Sequence, residues 1–382
     1  MSNPQGRIGL LATISTAVAA LICVSVGLLV FDPSATGADA LRTGGLAAGS
    51  VVALYALWLN DRRRRVDEQR QQLDNQRNDL ETQRYQLERE RQQLEDRKTD
   101  QEHSRAADER FARSVEILGN EADQVRVGAM HALAGLARSH REYTQTVLDV
   151  LCSYLRRPFD HPYWDLRNRD DAQTVPEHSR RERTVRQTAA KLIASLLPST
   201  DAEQPEWYSL DVAGANLDRF DLSDRVVGSL NASGCRFRHT TSFAGTVFLS
   251  KVDLREVTFL HSINADGAVF QGTTRLCGLW GMAPASFAGT TFRGEVDLRS
   301  ARFADHATFR LAVLHGQLDL RYAHFDGGVD LRVREPAPTV SLYHTEVDTS
   351  IDVHLPRSWE LTEHSSPNRA YIWIAESPIG RS

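Results

Sequence analysis

The chain opens on two apolar stretches. Ile8 to Phe31 runs 24 residues without a charge, enough to cross a hydrocarbon layer of about 30 Å at about 1.5 Å per residue. Thr43 to Leu59 gives a second stretch of 17, at the short limit. Asp32 to Ala40, with Pro33 and Gly37, reads as the turn of a helical hairpin, and Gly45 and Gly49 have the small-xxx-small spacing of close helix contacts. The competing reading is a cleaved signal peptide processed near Ala38-Asp39-Ala40. The apolar stretch exceeds the roughly 7–15 residues of such a segment, and only Arg7 precedes it. Arg62, Arg63, Arg64 and Arg65 follow the second stretch, so the positive-inside rule predicts a two-pass plasma (inner) membrane anchor with both termini cytoplasmic.

A seven-residue period takes over next. EQRQQLD, NQRNDLE, TQRYQLE, RERQQLE and DRKTDQE fill residues 68–102, placing Val66, Leu73, Leu80, Leu87 and Leu94 on one stripe. The complementary seam position holds Arg70, Arg77, Arg84 and Arg91, which weakens a zipper. Those arginines precede Asp74, Glu81, Glu88 and Glu95 by four residues, and Lys98 precedes Glu102 likewise. Such pairs contribute about 0.2–0.5 kcal/mol each, and a ladder of them can hold a helix without a core. Two readings stand: a solvated single helix over 61–110, about 75 Å long, or a parallel homo-oligomeric coiled coil through the 66–94 heptads.

Beyond Arg110 the apolar positions recur at helical spacing. Phe111, Val115 and Leu118 form one face, Val127, Met130, Leu133 and Leu136 a second, and Val147, Val150, Leu151 and Tyr154 a third. Three short helices predict an armadillo- or HEAT-like adaptor, too small for a free-standing solenoid. Residues 157–180 are polar; His161, Asp165, Asp170, Asp171 and His178 lack the spacing of a metal site and read as a solvated loop. A further helix runs from Glu182 to Leu197, stopped by Pro198.

From Ser209 the rule changes again. Apolar residues recur every five positions at Val212, Leu217, Leu222, Val227, Ala232 and Phe237. The step then alternates six and five through Phe243, Phe248, Leu254, Phe259, Ala265, Phe270, Leu276, Gly281, Phe287, Phe292, Leu298, Phe303, Phe309, Leu314, Leu320, Phe325, Leu331, Pro336, Leu342, Val347 and Val353. A small residue such as Ala215, Ala268, Ala285, Ala301, Ala307, Ala312 or Ala323 often stands two before. Gly281, Ala265 and Pro336 are the weak members. This pattern resembles the pentapeptide-repeat family, with Ala215-Asn216-Leu217-Asp218-Arg219 a good match to its A(D/N)LXX unit. The later part is similar to the family's Phe-rich branch. Segments 111–156 and 181–222 (Trp207, Leu210, Asp211, Gly214, Ala215, Asp221, Leu222) resemble membrane-associated actinobacterial members. The resemblance implies a right-handed quadrilateral β-helix of a little under seven turns, four units to a turn. Open ends of such a stack need caps. Helix 182–197 suits one end, and the tail from Pro356, with Trp359, Tyr371 and Trp373, suits the other.

The resulting expectation is a multi-domain chain: a transmembrane helical hairpin (1–60), a charged helix or coiled coil (61–110), a helical adaptor (111–156), a linker and capping helix (157–208), the β-helix (209–355) and a C-terminal cap (356–382). Charge sharpens it. Residues 1–60 hold four charged side chains and residues 61–110 hold 27, while the whole chain carries 45 basic and 50 acidic residues for a net −5. That balance excludes a basic, sequence-independent nucleic-acid binder.

A 22-residue turn places Leu254, Leu276, Leu298, Leu320 and Leu342 in one row, flanked outside by Asp253, Arg255, Arg275, Asp297, Arg299, Asp319 and Arg321. This stripe is the candidate partner-binding surface, against the plainer reading of a solubilising ladder. Some family members mimic DNA and protect a topoisomerase, which is the alternative function. Residues 209–355 carry 17 acidic and 14 basic residues, far from phosphate-like density. Enzyme signatures, cofactor loops and metal motifs are missing from the sequence, and Cys23, Cys152, Cys235 and Cys277 form no CxxC. The expectation is therefore a cofactor-free, cytoplasm-facing scaffold on the bilayer that binds an unidentified protein.

Overall fold

The computed structural model describes residues 4–31, 37–159, 176–363 and 365–374. The chain divides into two units, Met1–Glu102 and His103–Ser382.

The first unit is helical. Helix α1 (Pro4–Phe31) is followed by α2 (Gly37–Ile117), which runs 81 residues without interruption. Residues 60 and 110, where the pattern suggests separate elements, are ordinary helix. Gly37 to Ala40, expected in the turn, already belong to α2, and the last turns of α2 carry the apolar face at 111–117. The helices touch at Gly44, where an added Cβ would collide with Ser25 and the Leu21 carbonyl. Gly45 and Gly49 meet only open space, so the small-residue contact sits about 100° round the helix from the expected one. Leu41–Arg62 is the one stretch, among the described residues, long and apolar enough to span a membrane, with Leu11–Gly27 a shorter apolar helix.

The anticipated salt ladder is also missing. Among the described residues Arg77, Arg84 and Arg91 form no ion pair with Glu81, Glu88 or Glu95, and the side chains stand out in solvent. Exposed pairs gain little against the entropy of holding two long side chains in one geometry.

In the second unit α3 (Asp123–Ser139), α4 (Thr144–Arg156) and α5 (Glu177–Leu196) pack together around Met130, Leu133, Leu148, Leu151 and Ile193, all fully buried. Helix α5 starts five residues before the expected Glu182, and its core is continuous with that of the domain that follows.

That domain is a β-solenoid of about seven turns, built from two- and three-residue parallel strands in four sheets. The first turn advances 20 residues, pairing Leu210 with Leu230. Later turns advance 22, pairing Val252 with Thr274. This change from four units of five to alternating fives and sixes is the change of step seen in the sequence. Every stepped residue is buried except Pro336, which is exposed, and Val353, which is half-buried.

Rung spacing dictates the core. Phe237 stacks on Phe259 at 4.9 Å, Phe248 on Phe270 at 4.8 Å, Phe270 on Phe292 at 4.9 Å and Phe287 on Phe309 at 4.8 Å. These separations match the 4.7–4.9 Å between hydrogen-bonded strands, so the ladder imposes near-parallel rings. The weak members are explained by volume exchange. Where the stepped residue is small, the residue two before is large and buried: Leu230 with Ala232, Ile263 with Ala265, Leu279 with Gly281. Buried Thr246, Thr290 and Thr345 occupy the same inner position and donate to the Leu222, Ala265 and Leu320 carbonyls.

Pro336 breaks its row because proline cannot donate to a ladder. The chain swings out there, the turn lengthens so that Val329 pairs with Val353, and Val333, Ala337 and Trp359 close over a cavity of about 20 Å³.

Both ends are closed. Gln145 on α4 holds the first strand like a neighbouring strand, donating to the Ser209 carbonyl and accepting from its N–H, each at 2.9 Å. At the far end Trp359–Glu363 and Arg369–Ile374 form an antiparallel hairpin that pairs with Glu346–Asp348. The tail therefore caps by extending a sheet, with Ala370 and Ile372 buried beneath it.

Candidate interaction surface

Each of the four units of a turn points one residue outward just before the buried stepped residue, so four outward columns run along the domain. The Asp/Arg stripe occupies one of them. Asp253, Arg275, Asp297 and Asp319 are successive Cα partners, as expected. Their carboxylates, however, are folded into local structure. Asp253 accepts from the Arg255 guanidinium at 2.8 and 2.7 Å and from its backbone N–H at 3.2 Å. Asp297 does the same with Arg299 at 2.9 and 2.8 Å, and Asp319 with Arg321 at 2.9 and 2.6 Å. A fourth Asp-Leu-Arg unit, Asp330 to Arg332, repeats the geometry on the opposite face at 2.9 and 2.6 Å.

The arrangement is layered. The Asp253, Asp297 and Asp319 side chains are 13, 9 and 6% exposed, against 48, 50 and 44% for Arg255, Arg299 and Arg321. What meets solvent is a row of guanidinium groups over covered carboxylates, with Arg275 exposed among them and unpaired among the described residues. Partial burial opposes the charged form of Asp253 and Asp297, but hydrogen bonds from the following arginine overcome it and hold both carboxyls below their usual range. At Asp330 the Arg332 hydrogen bond dominates and acts in the same direction.

This has a measurable consequence. Carboxyls with folded values below the unfolded one, about 3.9, give stability that is complete above that pH and lost as pH falls through the folded values. Asp297→Asn should cost about 1 kcal/mol at pH 7, because the paired arginine is half in water. The gap between variant and wild type in thermal unfolding should narrow as pH falls below about 4. A gap that is constant from pH 7 to 3 would show that the carboxylate charge contributes nothing.

Sequence reasoning missed a different face. Val226, Val247, Val269, Thr291 and Val313 are successive Cα partners in the sheet over Phe248, Phe270 and Phe292. All but Val226 stand half-exposed. Leu249 and Gln271 lie in the adjoining column with Arg293 and His315, and Trp207, 64% exposed, packs over Gly228 at its head. One corner of this face is Gly272, Gly294 and Gly316, where an added Cβ would strike the backbone of the preceding turn. Few side chains rise there to shield it. Arg293 makes no ion pair or side-chain hydrogen bond among the described residues. The signal was present at a spacing of 21 and 22 residues, hidden because it lies one position off the stepped rule.

A family model described as pentapeptide repeats, in nine copies, matches residues 287–332. The chain carries a pentapeptide-repeat domain. Comparison with curated proteins and with solved structures gives no match. The matched segment lies inside the regular 22-residue turns; the 20-residue first turn and the Pro336 excursion are outside it.

Other chemistry in the second unit is muted. Burial pushes the Cys152 and Cys235 thiols up to about 12, and the Cys235 thiol donates to the Val212 carbonyl at 2.9 Å. Among the described residues no cluster of three or more His, Cys, Asp or Glu could hold a metal. His161, Asp165, Asp170 and Asp171 lie outside the described residues, and His178 sits on α5.

Proposed function

We propose that the protein is a membrane-tethered, cytoplasm-facing scaffold whose pentapeptide-repeat domain docks a protein partner, and whose charged helix pairs two copies side by side. The observation that carries docking is the valine face: flat, β-branched, uncovered and edged by glycine. Its complement is a partner with an apolar strip and a carboxylate to meet Arg293. The guanidinium row above its paired aspartates is the secondary surface, comprising Asp253, Arg255, Arg275, Asp297, Arg299, Asp319 and Arg321. Its covered carboxylates weigh against mimicry of a polyanion.

Tethering is supported by the first unit, where Leu11, Val30, Leu46, Leu54 and Leu57 are 64, 69, 75, 67 and 66% exposed. Leucines facing outward all round a helix suit lipid rather than water. Tyr55 stacks on Trp58 at 5.8 Å and the Arg62 guanidinium lies 5.4 Å from the Trp58 ring, the aromatic-then-basic order of a membrane boundary. A two-pass topology with both ends cytoplasmic follows from the arginines after Asn60.

The test is a photo-crosslinking side chain placed in the full chain, in cells, at Val269, at Arg275 or at Ser286, which shares a column with Ser242, Asn264 and Thr308. A defined adduct from Val269, abolished by Val247→Glu, is the expected result. Equal labelling from all three positions would overturn docking at the valine face, and adducts from Arg275 alone would transfer it to the guanidinium row. Alkaline extraction tests the tether, since a protein released with peripheral proteins is not an integral one.

A further inference from the structure

The leucine stripe of α2 is bare in a single chain: Leu73, Leu80, Leu87 and Leu94 are 60, 58, 58 and 55% exposed. A heptad row of leucines can close with either of two second rows. The row three residues before each leucine is Arg70, Arg77, Arg84 and Arg91; the row three residues after is Gln76, Gln83, Glu90 and Arg97. The first choice desolvates a guanidinium pair in every heptad. Between Leu73 and Leu94 the second desolvates primary amides that can hydrogen-bond to each other across the seam, with one carboxylate layer at Glu90, and leaves Arg97 at the open end of the row. Burying an unpaired ion costs far more than burying an amide that finds a partner.

We infer that two copies of this chain pair in parallel over residues 73–94 on a leucine–glutamine seam, with Arg77, Arg84 and Arg91 flanking it. This rests on the self-pairing reading above and specifies its geometry. Leu73, Leu80, Leu87 and Leu94 then face their own counterparts, and Gln76 and Gln83 form the polar layers that fix register. Arg77, Arg84, Arg91 and Lys98 fall beside the seam, each free of the intrahelical partner that the sequence offers, among the described residues. Asp79 lies across from Arg84 of the second copy, five residues on, where parallel helices form flanking ion pairs. An antiparallel pair would set the arginine rows against each other and leucine against glutamine, losing both the complementarity and the leucine layers.

The experiment is disulfide trapping in the full chain reconstituted in liposomes. Cys23 and Cys277 are replaced by serine, the buried Cys152 and Cys235 are kept, and single cysteines are placed by Gln83→Cys, Arg84→Cys or Leu87→Cys. Seam positions bring their counterparts close enough to trap; flanking positions do not. Mild oxidation should yield several-fold more covalent dimer from Leu87→Cys and Gln83→Cys than from Arg84→Cys. Efficient trapping at Leu87→Cys and Arg84→Cys with little at Gln83→Cys overturns the glutamine seam and leaves self-pairing standing. No trapping at any of the three removes self-pairing and this seam with it. As an independent measure, Gln76→Leu with Gln83→Leu should raise the dimer fraction about tenfold at limiting protein, and Arg77→Leu with Arg84→Leu should not.

Discussion

Phe270→Ala is expected to destabilise the solenoid by about 3–5 kcal/mol, the range for deleting a buried ring that its surroundings cannot replace. Phe270 is enclosed by Phe248 at 4.8 Å and Phe292 at 4.9 Å, at interplanar angles of 13° and 11°. The rung spacing fixes those distances, so the neighbours cannot close on the void without breaking strand hydrogen bonds. Coupling in a stack runs between adjacent turns, and a central defect weakens two interfaces at once. The domain itself supplies the rescue. Ile263 with Ala265 and Leu279 with Gly281 show that bulk can move two residues back along the same rung. Ala268→Leu added to Phe270→Ala should therefore recover about half of the lost stability, although Ala268→Leu alone overpacks and costs about 1–3 kcal/mol. Urea unfolding of the full chain in detergent, followed by tryptophan fluorescence, measures all three. Additive losses in the double variant would refute volume exchange, and a loss below about 1 kcal/mol for Phe270→Ala would refute the rigid spacing.

The interior of the solenoid was legible because each rung repeats one constraint. A residue that fills the core every five or six positions leaves a mark in the sequence whatever faces outward, so even Gly281 and Ala265 kept their places. Pro336 did not, because its ring removes a ladder donor and the local spacing could not reveal that. Surface properties were harder to read. Asp253-Leu254-Arg255 looks like an exposed mixed pair until the Arg255 N–H and guanidinium are seen turned back onto the carboxylate. The valine face escaped notice because its members are about one turn apart in sequence and adjacent only once the coil has closed. Gln145 and Ser209 are 64 residues apart and have no local reason to meet. The continuity of α2 was obscured by composition: a change from leucine to arginine signals a change of solvent and not a break in the helix.

Arg186→Ala is the other large expected effect, and it tests how the helices seal the first turn. Arg186 is 5% exposed on α5, and its guanidinium donates to the Leu155 carbonyl and, at 3.2 Å, to that of Arg157, closing the carboxyl end of α4. Phe159 lies against it at 5.0 Å and Glu182 stands 3.8 Å away. Desolvation lowers its pKa, with Glu182 opposing, yet an arginine so far above neutrality stays charged. Alanine would leave buried carbonyls without a donor and remove the cation facing the helix dipole, at a cost of about 3–5 kcal/mol. Because α4 holds the first strand through Gln145 and α5 contacts the next strand on another face, the loss should spread to the exposed edge of the stack. The expected signature is earlier proteolysis near residues 197–209 and a concentration-dependent loss of soluble protein, with the far-end hairpin still protected. Arg186→Lys should restore less than half of the stability, since an ammonium cannot fork to two carbonyls. Full rescue by lysine would show that charge alone is needed there. A loss below about 1 kcal/mol in Arg186→Ala would place the seal in the apolar contacts of Ile193 and Leu151 instead.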